Sequence, residues 1–333
     1  MFTTHNTLNE LLNHKDMRAW IHVLHREDLL DLITEKDLPL EESTAHIESN
    51  AVTGKRLRDS LVETANLVLE LQAGERRCLK LHTWTDWVPE ETTDLSGDNA
   101  AFLITARKTD NANRPILLIV PGGGYDHVSP RNEGTPTLEL AEKHGYASFM
   151  LTYSVAPLSY PSPQIDLLSA IRFIKTHAQE FHADPRRVAL FGFSAGGHLC
   201  ASSTHLYQEL GFADARPDVL GLGYPVVSFD PSIAHEHSVK MLLKEPTEEM
   251  RKKLSVERMI NEHTIPTFLW TCKTDRSVNP QNTIVLEEAL RAHQVPHECH
   301  IYPDGRHGMG LGTGTSAEGW IDACLLYTSD AAD

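Results

Sequence analysis

Basic residues are scarce in this chain of 333 residues. Thirty Lys and Arg stand against 46 Asp and Glu, a formal net charge of −16. Nucleic acid and anionic membrane surfaces both recruit clustered positive charge, so neither is expected as a partner. Long apolar runs are absent as well. No stretch approaches the ~20 residues that a membrane-spanning helix needs. The first residues, Met1-Phe2-Thr3-Thr4-His5-Asn6, lack a basic segment followed by an apolar one. No secretory signal is read there, and the cytoplasm is the expected location. Cysteines number only five, with no C-x-x-C spacing. Reduced, mostly buried thiols are expected rather than a disulfide framework. His235-Glu236-His237 and the pair His297 and His300 resemble metal spacings only superficially. No third and fourth ligands converge with them in sequence, so neither a metal nor a cofactor is expected.

What is present is a set of apolar runs that end in chemically useful residues. Val188 to Phe191 reads as a buried strand and runs into Gly192-Phe193-Ser194-Ala195-Gly196, a G-x-S-x-G pentapeptide. A helical pattern follows at once through Ala195, His198, Leu199, Ala201, Ser202, His205 and Leu206. Strand, sharp turn with a central Ser, then helix is the setting in which this pentapeptide presents a nucleophile. The glycines leave room where the strand folds back against the helix. The helix N-terminus beneath Ser194 offers free N–H groups to an oxyanion.

Upstream, Pro115 to Val120 is a second buried-strand pattern and leads into Pro121-Gly122-Gly123-Gly124-Tyr125. Consecutive glycines let successive N–H groups point into one cavity, as an oxyanion hole requires. Gly123, Gly124 and Ala195 are the candidate donors, and Tyr125 is a candidate substrate contact. Downstream, Pro266 to Thr271 reads as a strand, with Asp275 in the loop after it and a helix near Pro280–Ala292. His297 to Tyr302 alternates towards a last strand, and His307 lies in the loop beyond, close to Gly305 and Gly308. Asp304 is the nearest rival to Asp275, but it stands too close in sequence to His307 to orient its ring. The chemistry asks for these residue types. A Ser hydroxyl is a poor nucleophile, an ordinary imidazole (pKa ~6.5) takes and returns its proton, and a carboxylate fixes the imidazole tautomer.

Taken together these segments resemble the α/β-hydrolases of the esterase–lipase group, particularly the acetyl-esterase and xylan-esterase-like (BD-FAE-like) branch. The resemblance is carried by Pro121-Gly122-Gly123-Gly124-Tyr125, Leu151 to Pro157, Tyr160-Pro161 with Gln164-Ile165-Asp166, Gly192 to Leu199, the Asp275 loop and Gly305-Arg306-His307-Gly308. It spans about Leu79 to Leu311. It implies an α/β-hydrolase fold, with a mostly parallel central sheet and helices on both faces. The order Ser194, Asp275, His307 is the order such folds use for their triad. The implied activity is serine carboxylic-ester hydrolysis on short acyl esters such as acetylated sugars or xylo-oligosaccharides. Two departures stand out. Pro121 replaces the His with which many esterases begin the glycine loop. Cys272-Lys273-Thr274 precedes Asp275 where relatives often carry a more acidic or His-containing sequence. A serine peptidase or acyltransferase on the same fold, and a non-catalytic binding protein, are the alternative readings.

Three parts are expected along the chain: an N-terminal helical extension over 1–75, a catalytic domain over 76–323, and a tail over 324–333. In the extension, Thr7 to Glu10 is a capping-box pattern, and a helix is read near Lys55–Leu71. Leu8, Leu11, Leu12, Ile21, Leu24, Leu29, Leu30 and Ile33 suggest shorter amphipathic helices, with a break from Asn50 to Gly54. The extension either packs on the core, caps the acyl pocket or forms a dimer surface. The tail Cys324 to Asp333 reads like translated adaptor sequence, so the final helix is expected to stop near its start at Trp320.

Overall fold

The computed structural model describes residues 1–15, 17–24, 30–47, 54–81, 90–91 and 101–331. The described strands form one nine-stranded sheet. They are β1 (Cys78–Leu81), β2 (Glu90–Glu91), β3 (Ala101–Ile104), β4 (Arg114–Val120), β5 (Ala147–Thr152), β6 (Ala183–Phe193), β7 (Val219–Gly223), β8 (Thr267–Cys272) and β9 (His297–Tyr302). Their order is β2-β1-β3-β5-β4-β6-β7-β8-β9. The run from β5 to β9 is parallel, while β2, β1 and β3 form an antiparallel flank.

The described helices are α1 (Leu8–Asn13), α2 (Met17–Leu24), α3 (Leu40–Ser43), α4 (Gly54–Gln72), α5 (Thr135–Lys143), α6 (Ser162–Thr176), α7 (Ser194–Leu206), α8 (Glu236–Leu243), α9 (Glu248–Leu254), α10 (Gln281–Ala292) and α11 (Trp320–Ala331). Among the described residues, no helix is long and apolar enough to cross a membrane.

Alternation along each strand explains how the sheet is covered on both sides. In β4, Ile116, Leu118 and Val120 join one core cluster, and Leu117 and Ile119 join the other. In β6, Val188 and Leu190 face the first, and Ala189, Phe191 and Phe193 the second. Successive side chains of a strand point to opposite faces. A strand buried on both faces is therefore apolar throughout, which is how these runs read in sequence. Helices α6, α7 and α10 supply Leu167, Leu199 and Leu286 to the first cluster. Helices α1, α4, α5 and α11 supply Leu8, Leu61, Leu138 and Trp320 to the second. The structure thus has the α/β-hydrolase architecture expected of it.

The N-terminal helices join the second core cluster, with α4 packed against α5 and the Pro130–Gly134 turn. The Thr7 capping box forms as read: Glu10 N–H donates to Thr7 Oγ1, and Thr7 N–H donates to Glu10 Oε2. Arg76 fastens this segment to the domain. Its side chain is fully buried and donates to Glu70 Oε2 at 2.6 Å and to Glu142 Oε2 at 2.7 Å. A buried guanidinium is tolerable only when paired in this way. The break read from Asn50 to Gly54 falls, apart from Gly54, outside the described residues, as does Leu29.

One expectation is corrected. The final helix does not stop near Trp320; α11 runs from Trp320 to Ala331. Trp320, Ile321, Cys324 and Leu325 are buried. Their spacing continues a helical apolar stripe into the tail, and that stripe covers the sheet. The Trp320 ring stacks on Phe191 at 4.8 Å and on Trp270 at 5.1 Å between centroids. Its indole N–H donates to Gly310 O at 2.9 Å.

Candidate active site

Strands β4, β6, β8 and β9 are parallel, so the loops after them open at one edge of the sheet, where such folds place their sites. Strand β6 ends at Phe193, and Ser194 opens α7 with φ of +52°. A non-glycine residue is rarely held there, and the cost is on the order of 1–2 kcal/mol. The neighbouring glycines permit it. A Cβ on Gly196 would lie 2.3 Å from Val120 O, and one on Gly192 would lie 2.4 Å from Gly196 O.

Ser194, His307 and Asp275 come together. Ser194 Oγ lies 2.8 Å from His307 Nε2, and His307 Nδ1 lies 2.7 Å from Asp275 Oδ2. The carboxylate accepts, so Nδ1 carries the proton and Nε2 is left to accept from the Ser hydroxyl. Asp275 is buried, and its other oxygen accepts the N–H groups of Ser277 (2.9 Å) and Val278 (3.1 Å). Thr274 Oγ1 donates to Gly305 O and accepts from Gly305 N–H, which ties the Asp275 loop to the His307 loop. The rival Asp304 is exposed and makes no hydrogen bond to His307 among the described residues.

The glycine loop faces this group. Gly123 has φ of +135° and Gly124 +67°. A Cβ on Gly123 would lie 2.1 Å from His127 O, so no other residue fits. The Gly122 N–H is taken by Glu133 Oε2 at 2.7 Å. The N–H groups of Gly123 and Gly124 donate to nothing else among the described residues. That of Ala195 lies in the first turn of α7, where N–H groups have no intrahelical acceptor.

A pocket of about 240 Å³ opens over Ser194 and His307. Asp126, His127, Ser129, Asn132, His235 and His237 line it, and among the described residues no apolar side chain does. His237 Nε2 donates to Asp126 Oδ2 at 2.6 Å, and His127 Nδ1 donates to Asp126 Oδ1. Partial burial would raise the Asp126 carboxyl, but these two histidines hold it below its usual range. His235 caps α8 by accepting from Ser238 N–H. Its imidazole is lowered by burial and by the nearby charges of His307 and His237.

Tyr125 is corrected as a substrate contact. With φ of +65° the backbone turns its ring inward, where it is fully buried. Its hydroxyl donates to His198 Nδ1 at 2.8 Å instead of reaching the pocket. Among the described residues, none of 1–75 lines the Ser194 pocket. Helix α4 contributes instead to a larger cleft of about 600 Å³ that shares Asn132 with it. Sequence reasoning missed Asp126, His127 and Glu133. Asp126 and His127 directly follow the glycine loop, which was the available signal.

The chain resembles known proteins in ways that agree with this geometry. The BD-FAE family profile matches residues 103–216, and the prolyl oligopeptidase family profile matches residues 166–325. It is 26% identical over 318 residues to endo-1,4-beta-xylanase B of Butyrivibrio fibrisolvens, covering 92% of this chain and 50% of that one. It is 29% identical over 227 residues to the acetylxylan esterase of Xylanibacter ruminicola, covering 67% and 46%. The chain therefore spans about half the length of these curated relatives. Among solved structures, the acetyl ester-xyloside bifunctional hydrolase of Caldicellulosiruptor lactoaceticus superposes with a TM-score of 0.62 at 32% identity. That match covers 72% of this chain and 88% of that one. With its fold and the matched length of that solved relative, the chain belongs to the α/β-hydrolase superfamily, on its acetyl-esterase-like, BD-FAE branch.

Proposed function

We propose that this protein is a serine carboxylic-ester hydrolase for short-chain acyl esters of sugars, acetylated xylo-oligosaccharides among them. The observation that carries the reading is the unbroken chain from Ser194 Oγ through His307 to Asp275, facing the glycine-loop N–H groups. Ser194 Oγ attacks the acyl carbonyl carbon while its proton passes to His307 Nε2. The developing oxyanion is met by the N–H groups of Gly123, Gly124 and Ala195. Asp275 keeps His307 in the right tautomer and stabilises its imidazolium. His307 then protonates the leaving alcohol, and the C–O bond breaks to leave an acyl-enzyme. Water, deprotonated by the same imidazole, releases the acid and restores Ser194.

The pocket supports the substrate class. Its volume of about 240 Å³ suits a short acyl group, and its polar lining suits a polyhydroxy alcohol. The names of the xylan-directed relatives point the same way. The prolyl oligopeptidase profile over residues 166–325 favours a second reading, a serine peptidase. Turnover of p-nitrophenyl acetate against an aminoacyl anilide separates the two. Fast release from the ester and none from the anilide is expected; the reverse would make it a peptidase.

A further inference from the structure

Glu133 is a buried charged group at the pocket wall for which the reaction above has no use. It is only 3% exposed and sits in a five-residue π-helical turn, Pro130–Gly134. Such turns are frequent at functional sites. Both carboxylate oxygens are engaged. Oε2 accepts the Gly122 N–H at 2.7 Å, and Oε1 accepts the Tyr224 hydroxyl at 2.8 Å. Tyr224 Oη in turn accepts the N–H of Gly310 at 3.0 Å, just beyond His307. The Tyr224 ring meets the His307 ring edge-on, with centroids 4.9 Å apart. One carboxylate thus links the start of the glycine loop to the loop that carries the histidine.

The directions of these bonds speak for a charged group. The Gly122 and Gly310 N–H groups can only donate, so the Tyr224 proton is left to point at Glu133. Two donors meeting two carboxylate oxygens favour the ionised form. Burial is the largest effect and leaves the carboxyl above its usual range; the Tyr224 bond, the charge of His307 and the Gly122 bond offset part of that rise.

We propose that Glu133 is a positioning residue for the reaction at Ser194: it holds the glycine loop in register with the His307 loop, and its negative charge stabilises the imidazolium that His307 becomes. This rests on the ester-hydrolase reading and deepens it. The groups facing His307 are Asp275 by hydrogen bond, Tyr224 by its ring, and Glu133 and His235 through space. His127 acts on Glu133 in the same sense as His307 does. The coupling is reciprocal: if a charged His307 favours the Glu133 carboxylate, that carboxylate favours a charged His307. No proton joins or leaves Glu133 during the cycle.

The test is the rate at which a fluorophosphonate labels Ser194 from pH 5 to 9, in the wild type, Glu133→Gln and Tyr224→Phe, with melting temperatures alongside. Glu133→Gln is expected to slow labelling by roughly 10- to 100-fold, and to lower kcat for p-nitrophenyl acetate similarly with KM little changed. Removing the anion makes His307 easier to deprotonate, so the acid limb of the profile moves to lower pH. Tyr224→Phe is expected to slow labelling several-fold. A folded Glu133→Gln protein with the wild-type rate, or with an unmoved acid limb, would overturn the proposal. Should Glu133→Gln not fold, an unchanged rate in Tyr224→Phe would overturn it and a slowed one would sustain it. A folded wild-type protein that takes no label would defeat the hydrolase reading instead.

Discussion

Asp126 Oδ2 lies 2.6 Å from His237 Nε2, and this contact joins the glycine loop to helix α8 at the rim of the Ser194 pocket. The Gly124 backbone is held nearby: a Cβ there would lie 3.0 Å from the His237 ring. Breaking the contact from either side should loosen the same N–H groups. Asp126→Asn and His237→Ala are each expected to lower kcat/KM for an acetyl ester by about 3- to 10-fold. The double variant should lose little more than the worse single one, because both remove one interaction. Losses that simply multiply would show that the two residues act separately.

Acyl length is the second expectation. The pocket holds only about 240 Å³, and among the described residues no apolar side chain lines it to grip a long acyl chain. kcat/KM should fall steeply from acetyl through butyryl to octanoyl p-nitrophenyl esters. A single methylene in a fitted site is worth about 1–3 kcal/mol in discrimination. A profile that rises towards lauroyl esters would contradict this reading of the pocket.

Buried His198 sets a pH dependence of stability. Its ring stacks on Phe229, its Nδ1 accepts from Tyr125, and its Nε2–H donates to Leu254 O. Burial lowers it from 6.5 to about 4, against the smaller upward pull of the Leu254 bond. The unfolded chain therefore binds a proton below pH 6.5 that the folded chain refuses. The stabilisation is present above that pH and is lost as pH falls through about 4. At 1.36 kcal/mol per unit it amounts to about 3 kcal/mol. In urea denaturation, the stability gap between wild type and His198→Gln should shrink from pH 7 to pH 4.5. A constant gap would refute the assignment.

Trp320 should matter to both fold and activity. It packs on Phe191 and Trp270 and bonds Gly310, close to His307. Trp320→Ala is expected to cost about 3–5 kcal/mol in urea denaturation. It should also lower kcat, because Gly310 braces the histidine loop through Tyr224. A variant as stable and as active as wild type would mean that α11 is dispensable.

What could be read in the sequence follows from what the fold demands. Strands β4, β6 and β8 are buried on both faces, so they appear as unbroken apolar runs. Ser194 was legible because an elbow admits only small neighbours. Asp275 is legible because it follows such a strand, and His307 because it follows β9, a half-buried strand that alternates in sequence. Glu133 was not, since a π-helical turn has no periodicity and a lone Glu carries no motif. Tyr125 was misplaced because a positive φ reverses the direction that its position beside the glycines suggested. The final helix extends past Trp320 because the apolar spacing at 320, 321, 324 and 325 decides its packing.

The central claim is that Ser194 is the nucleophile. Its most direct measurement is intact-mass and peptide mapping after fluorophosphonate treatment, run beside p-nitrophenyl acetate hydrolysis for wild type and Ser194→Ala. The account predicts one label per chain, on the peptide carrying Ser194. In a folded Ser194→Ala protein it predicts no label and a fall in kcat/KM of at least about 10⁴-fold. Labelling at another serine, or ester hydrolysis surviving in Ser194→Ala, would contradict it.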